Sequence, residues 1–231
     1  MNSLCFNIME NIRDKIRTGY YFNIETTLRQ AFQLIKNDAM VISMYSTLYI
    51  ITALILVKWG YWGMSLMAIL TGPFVGGFYL AFQKVAGGKR LSFEDFFDSF
   101  RNPFPAAAVN IATGLIAALG IYLLVLPGIY FYIAYLFAIP FTVFHNLPLW
   151  PAMESSRKII TGRWFGFFLL YLILTLLNLA GALLYGIGLI FTLPFTYAAI
   201  FVAFVNIFPE TIVYEEEDED DSEIITRDMF R

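Results

Sequence analysis

Three stretches of this chain are almost without charge, and that absence limits the folds open to it more than any motif. Residues 39–82, 102–144 and 164–208 together hold a single Lys, Arg, Asp or Glu side chain, Lys58. Each stretch is about twice the ~20 apolar residues a helix needs to cross a hydrocarbon core. The simplest reading is an all-α integral membrane protein whose six transmembrane helices form three helical hairpins. Composition agrees, with 59% hydrophobic and 14% charged residues, against roughly 45–50% and 25% in soluble domains. Three regions follow: an N-terminal segment over residues 1–38, a six-span membrane domain over 39–208, and an acidic tail over 209–231.

The positive charges test this threading. Arg13, Lys15, Arg17, Arg29 and Lys36 precede the first stretch; Lys84, Lys89, Arg90 and Arg101 separate it from the second. Arg157, Lys158 and Arg163 precede the third, and Arg227 and Arg231 follow it. If each stretch runs out and back, all of these fall on one side, which the positive-inside rule makes cytoplasmic. The protein is then expected in the cell membrane with both termini inside. The tryptophans fit, with Trp59 and Trp62 at an outer turn and Trp150 and Trp164 beside a cytoplasmic loop, because indole favours the interface.

Gly and Pro suggest where the hairpins turn: around residues 59–62, at Leu126-Pro127-Gly128, and around residues 186–188. Pro73 and Pro194 then fall within helices as bends, and Pro140 should kink the fourth span where a neighbouring polar group can take up the freed carbonyl. Aligning Pro73, Pro127 and Pro194 suggests a threefold hairpin repeat. Small pairs four apart, Gly77 with Ala81, Ala134 with Ala138 and Ala199 with Ala203, would let helices approach closely.

Outside the spans, Ile24, Leu28, Phe32 and Ile35 form an apolar stripe on a helix expected to lie in the cytoplasmic interface. After a Ser92 N-cap, Phe93, Phe96, Phe97 and Phe100 make a second such helix, its stripe docking on lipid or on the span ends. A third should run from about Ala152, pair Glu154 with Lys158 and stop at Gly162.

The amphipathic lead-in, the Leu126-Pro127-Gly128 before an aromatic helix, and the loop Ala152…Ser156…Gly162-Arg163-Trp164 before a new apolar span resemble bacterial polytopic membrane proteins of unknown function. They are also similar to the membrane domain attached to some glycerophosphodiester phosphodiesterases, over residues 22–208. The resemblance implies the membrane architecture. The catalytic domain of those enzymes, with its acidic metal ligands and histidines, has no counterpart in this chain.

Chemistry has few carriers here. Cys5 and His145, the only residues of their types, cannot make a zinc site, and no cofactor is expected. Glu154, Ser155 and Ser156 have no spacing that makes a catalytic triad, so no enzyme activity is expected. The spans lack the buried carboxylate, His or Lys that an ion-coupled carrier uses. Neutral polar groups remain, Asn110 and Asn178, placed to bond across helices or face a small cavity. The tail, with ten acids from Glu210 onward, is expected to be disordered and solvated. The rest of the chain is basic and suited to anionic headgroups.

The leading expectation is a nonenzymatic membrane protein acting through lipid or protein contacts on its cytoplasmic face. Glu154, Ser155, Ser156, Arg157, Lys158 and Arg163 form its candidate interaction loop. Membrane lipids are the expected partners, together with a protein reached through the cytoplasmic loops and tail; nucleic acid is not. The alternative is a permease or exporter for a neutral or apolar solute.

Overall fold

The computed structural model describes residues 3–212, and side chains from Glu10 onward. Six helical segments are long and apolar enough to cross a membrane. They are α3 (Ala39–Lys58), α4 (Gly60–Ala86), α5 (Pro103–Leu123), the pair α6 (Val125–Ala134) and α7 (Ala138–His145), α9 (Trp164–Leu183) and α10 (Leu189–Ile207). Before them come α1 (Ser3–Thr18) and α2 (Ile24–Lys36), and α8 (Leu149–Thr161) links α7 to α9. Short 3₁₀ helices cover Phe93–Arg101 and Pro209–Thr211. The end that carries both chain termini is called the basic end below, the other the turn end.

The hairpins turn tightly. Trp59 alone separates α3 from α4, Leu124 alone separates α5 from α6, and residues 184–188 join α9 to α10. Gly60 and Gly186 sit at φ of +64° and +78°, which most side chains disfavour. Leu124, rather than the Leu126-Pro127-Gly128 triplet, breaks the second hairpin. Pro127 lies in the first turn of α6, where a missing N–H is free of consequence. Each hairpin closes on a glycine just inside its turn. A Cβ on Gly63 would lie 1.8 Å from the Leu56 carbonyl oxygen, one on Gly120 2.7 Å from the Gly128 Cα, and one on Gly188 2.5 Å from the Gly181 Cα.

Lipid offers apolar helices no hydrophobic reason to associate, so close packing must hold them together. The small pairs serve this: Gly77, Ala81, Ala134, Ala138, Ala199 and Ala203 are all buried. Aromatic rings fill the remaining volume. Phe137 meets Phe167 and Phe204 edge-on at centroid distances of 5.2 and 5.3 Å, and Tyr45 stacks on Phe96 at 4.3 Å. The three aligned prolines occupy different places: mid-helix for Pro73, the first turn for Pro127 and the second turn for Pro194.

The basic end carries a collar of non-spanning helices. The Phe93–Arg101 helix is 3₁₀, and its phenylalanines dock on the span ends, Phe96 on Tyr45 and Phe78 and Phe100 on Phe74. Lys84 fixes it by ion pairs of 2.7 and 2.8 Å to Asp95 and Asp98. The α2 helix forms as expected, and Ile24, Leu28 and Ile35 of its stripe pack partly buried against the core, but its most buried positions are others and Phe32 points away. Thr27, Ala31 and Leu34 are buried, whereas Phe32 is 62% exposed. The small Thr27 and Ala31 let α2 lie close along α10, which a Phe32 face would prevent, and Asn206 ties the two by donating to Gln30. Helix α1, which sequence patterning did not suggest, packs Ile12 into the core beside α8, and Asn11 donates to Glu210. Glu210 and the buried Thr211 and Ile212 are thus folded back on the bundle. The rest of the acidic run lies outside the described residues.

The collar should be pH-sensitive. Burial works to raise the Asp95 pKa, but hydrogen bonds from Lys84 and from the Ser92 N–H outweigh it and hold the carboxyl below its ordinary value. For Glu154 the Arg157 guanidinium does the same against burial. A depressed carboxylate stabilises the fold above its unfolded pKa, and this is lost as pH falls through the folded one. Protection factors at Phe93–Arg101, corrected for the pH dependence of intrinsic exchange, should therefore stay constant between about pH 5 and 7 and fall below about pH 4.

Candidate functional site

Six spans from three hairpins leave one polar space in their midst. It has a volume of about 330 Å³ and is lined from α4, α5, α6, α7, α9, α10 and the segment joining α6 to α7. Asn110 and Asn178, widely separated in sequence, both face it. Asn110 donates to the Ala68 carbonyl of α4 at 2.9 Å, so its amide crosses from one hairpin to the next. Asn178 donates to Thr196 Oγ1 at 2.7 Å, and Thr196 donates on to the Thr192 carbonyl, which ties α9 to α10. Asn178 Oδ1 is buried with no partner. A buried acceptor left unmet costs about 1–3 kcal/mol.

Tyrosines supply most of the remaining polarity. Tyr79, Tyr132, Tyr135, Tyr171 and Tyr197 line the space. Tyr171 donates to the Tyr132 hydroxyl at 2.9 Å, bridging α9 to α6. Residue counts gave no reason to single these five out among 14 tyrosines. The only available signal was a phenol where phenylalanine would pack as well, in spans otherwise stripped of polar groups. The polar part of the lining is amide, hydroxyl and phenol, set among Val75, Leu136, Ile139, Leu193 and Ile200, without a carboxylate, ammonium, guanidinium or imidazole.

The fourth span is interrupted where it borders this space. Its helix stops at Ala134 and resumes at Ala138, and Tyr135 and Leu136 of the gap line the cavity. The break precedes Pro140 instead of falling on it. Pro140 has no N–H for the Leu136 carbonyl, and the chain leaves helical geometry ahead of the ring. Ser156 of α8 repairs the gap from outside. Its Oγ accepts from the Phe137 N–H at 3.1 Å and donates to the Ala134 carbonyl at 2.7 Å.

The candidate interaction loop is largely consumed by such internal contacts. Ser155 and Ser156, placed by sequence on an interaction surface, are both fully buried, because α8 packs against α6 and α7. Glu154 pairs with Arg157 at 2.9 Å and with Lys158 at 3.3 Å, the second as its i,i+4 spacing suggested. Arg163 stands 5.7 Å from the Tyr20 ring centroid, and Tyr20 donates to the Ile159 carbonyl at 2.8 Å. Burial pushes the Tyr20 phenol up to about 12, with Arg163 acting against it. These two residues latch the N-terminal segment to α8. Among the described residues no group of three or more His, Cys, Asp or Glu is placed to hold a metal. The structure thus unites Asn110 and Asn178 in one cavity and spends the loop residues on holding the bundle together.

No protein-family model, curated protein or solved structure matches this chain, so the likeness to phosphodiesterase membrane domains rests on its sequence punctuation alone.

Proposed function

We propose that this protein is a nonenzymatic permease of the cell membrane, basic end inward, which binds a small neutral solute in the cavity between its spans. The observation that carries the reading is that Asn110, Asn178 and the Tyr132–Tyr171 pair line one uncharged space beside a broken helix. Irregular backbone at membrane depth is tolerated where it is buried in protein or lines a cavity, and transporters place substrate sites at discontinuous helices. A solute with both donors and acceptors suits the amide, hydroxyl and phenol groups of this lining. A lining without carboxylate, imidazole or amine favours passage down a gradient.

Purified protein in proteoliposomes should speed the osmotic re-swelling of vesicles challenged with glycerol, urea or erythritol. Asn178→Leu should reduce the protein-dependent rate about tenfold, the loss of a well-placed hydrogen bond in a buried site. Vesicles with wild-type protein that re-swell no faster than empty ones for all three solutes would sink the reading. A second reading, contact with a protein at the basic end, is favoured by the Arg29 and Arg101 side chains, which are 72% and 86% exposed. It requires a partner whose copurification is lost when residues 215–221 are neutralised.

A further inference from the structure

A second cavity has the opposite chemistry. It is a groove of about 450 Å³ between α2, α3, α9 and α10, walled by Ile35, Ile42, Leu177, Phe191 and Phe195, with Lys36 at one edge. Phe32, on the same groove, is 62% exposed and Phe191 61%. For Phe191, on a span, lipid contact is ordinary. Phe32 is different, because α2 is no span: it carries Glu25, Arg29, Gln30, Gln33 and Lys36 and turns a separate stripe to α10. A large ring held open on so polar a helix needs apolar cover that none of the described residues provides.

Lys36 indicates what the cover carries. It closes α2 two residues before Asp38, the N-cap of α3. Lys36 forms no ion pair or hydrogen bond among the described residues, and neither Asp38 nor Glu25 reaches it; Glu25 pairs with Arg29 instead. A free ammonium above an apolar groove, on the face of the bundle where most cations gather, matches one class of bilayer molecule. We infer that the groove holds one acyl chain of an anionic phospholipid, with the headgroup phosphate seated against Lys36. The chain covers Phe32 and Phe195. The headgroup is chosen by charge, worth about fivefold in affinity for one lysine near the surface. This lipid site is separate from the solute cavity, and neither proposal depends on the other.

Native mass spectrometry of the full chain, delipidated in mild detergent and reloaded with an equimolar mixture of phosphatidylglycerol and phosphatidylcholine of identical chains, tests the inference. Wild-type protein should retain phosphatidylglycerol about fivefold over phosphatidylcholine. Lys36→Gln, a change on an exposed residue, should abolish that preference while leaving total lipid retention near wild type. Ala39→Phe, which fills the groove, should lower retention of both lipids; if that variant fails to fold, the Lys36→Gln comparison decides alone. Equal retention of the two lipids by wild-type protein overturns the proposal, as does a preference that survives in Lys36→Gln.

Discussion

Ser156→Ala is expected to be the most damaging conservative change in the chain. The hydroxyl closes two backbone groups at once, the Phe137 N–H and the Ala134 carbonyl, inside a wholly buried site. Removing it leaves both without a partner, at about 1–3 kcal/mol each, in surroundings where water cannot substitute. The variant should melt at lower temperature in detergent, with faster hydrogen exchange confined to residues 133–141. Ser156→Cys, which keeps the volume and a weak donor, should fall between. A melting curve for Ser156→Ala that overlays wild type would show that the gap closes on itself without α8. Because Tyr135 and Leu136 line the solute cavity, passage should suffer in proportion to the loss of order.

Gly72→Ala should have the second largest effect. A Cβ at this position would meet the Ala106 carbonyl oxygen at 2.4 Å, its carbon at 2.6 Å and the Ala107 nitrogen at 2.7 Å. All three are backbone atoms, which a rotamer change cannot move. One methyl group must therefore push α4 and α5 apart, and overpacking of this kind typically costs about 1–3 kcal/mol. The Asn110 to Ala68 bond spans the same pair of helices, so separation should weaken it and enlarge the cavity beside Thr71. The expected result is reduced thermal stability together with altered solute passage. A Gly114→Ala control, where a Cβ meets nothing within 4 Å, should match wild type in stability.

The spans were readable because a bilayer imposes one strong demand, a run of residues without charge, and this chain meets it three times over. Lys58 at a turn and the tryptophans beside the loops marked the boundaries, and glycine marked two of three turns. The broken fourth span was not readable. Pro140 announced a disturbance, but what stabilises the gap is Ser156, beyond an intervening loop, and no local pattern links the two. On α2, Ile24, Leu28 and Ile35 of the apolar stripe meet the core, and Phe32 alone does not, for a related reason. Hydrophobicity selected Phe32, while the geometry of approach to α10 selected Thr27 and Ala31, and a periodicity argument weighs bulk above closeness. Asn110 and Asn178 stood out in sequence as polar residues in apolar helices, each bonding across helices as expected. That they share one cavity depends on how three hairpins pack, and the tyrosines completing it were hidden among many aromatic residues.

The repair at Ser156 also sets an order of events in synthesis. The fourth span leaves the ribosome before the residue that completes it, since Ser156 follows Phe137 by 19 positions and Ala134 by 22. As this span enters the membrane, its two interrupted backbone groups have no partner within the segment itself. They stay open until α8 has been made and has folded back against it. The hydrogen bonding of the second hairpin is therefore completed only after α8 has arrived.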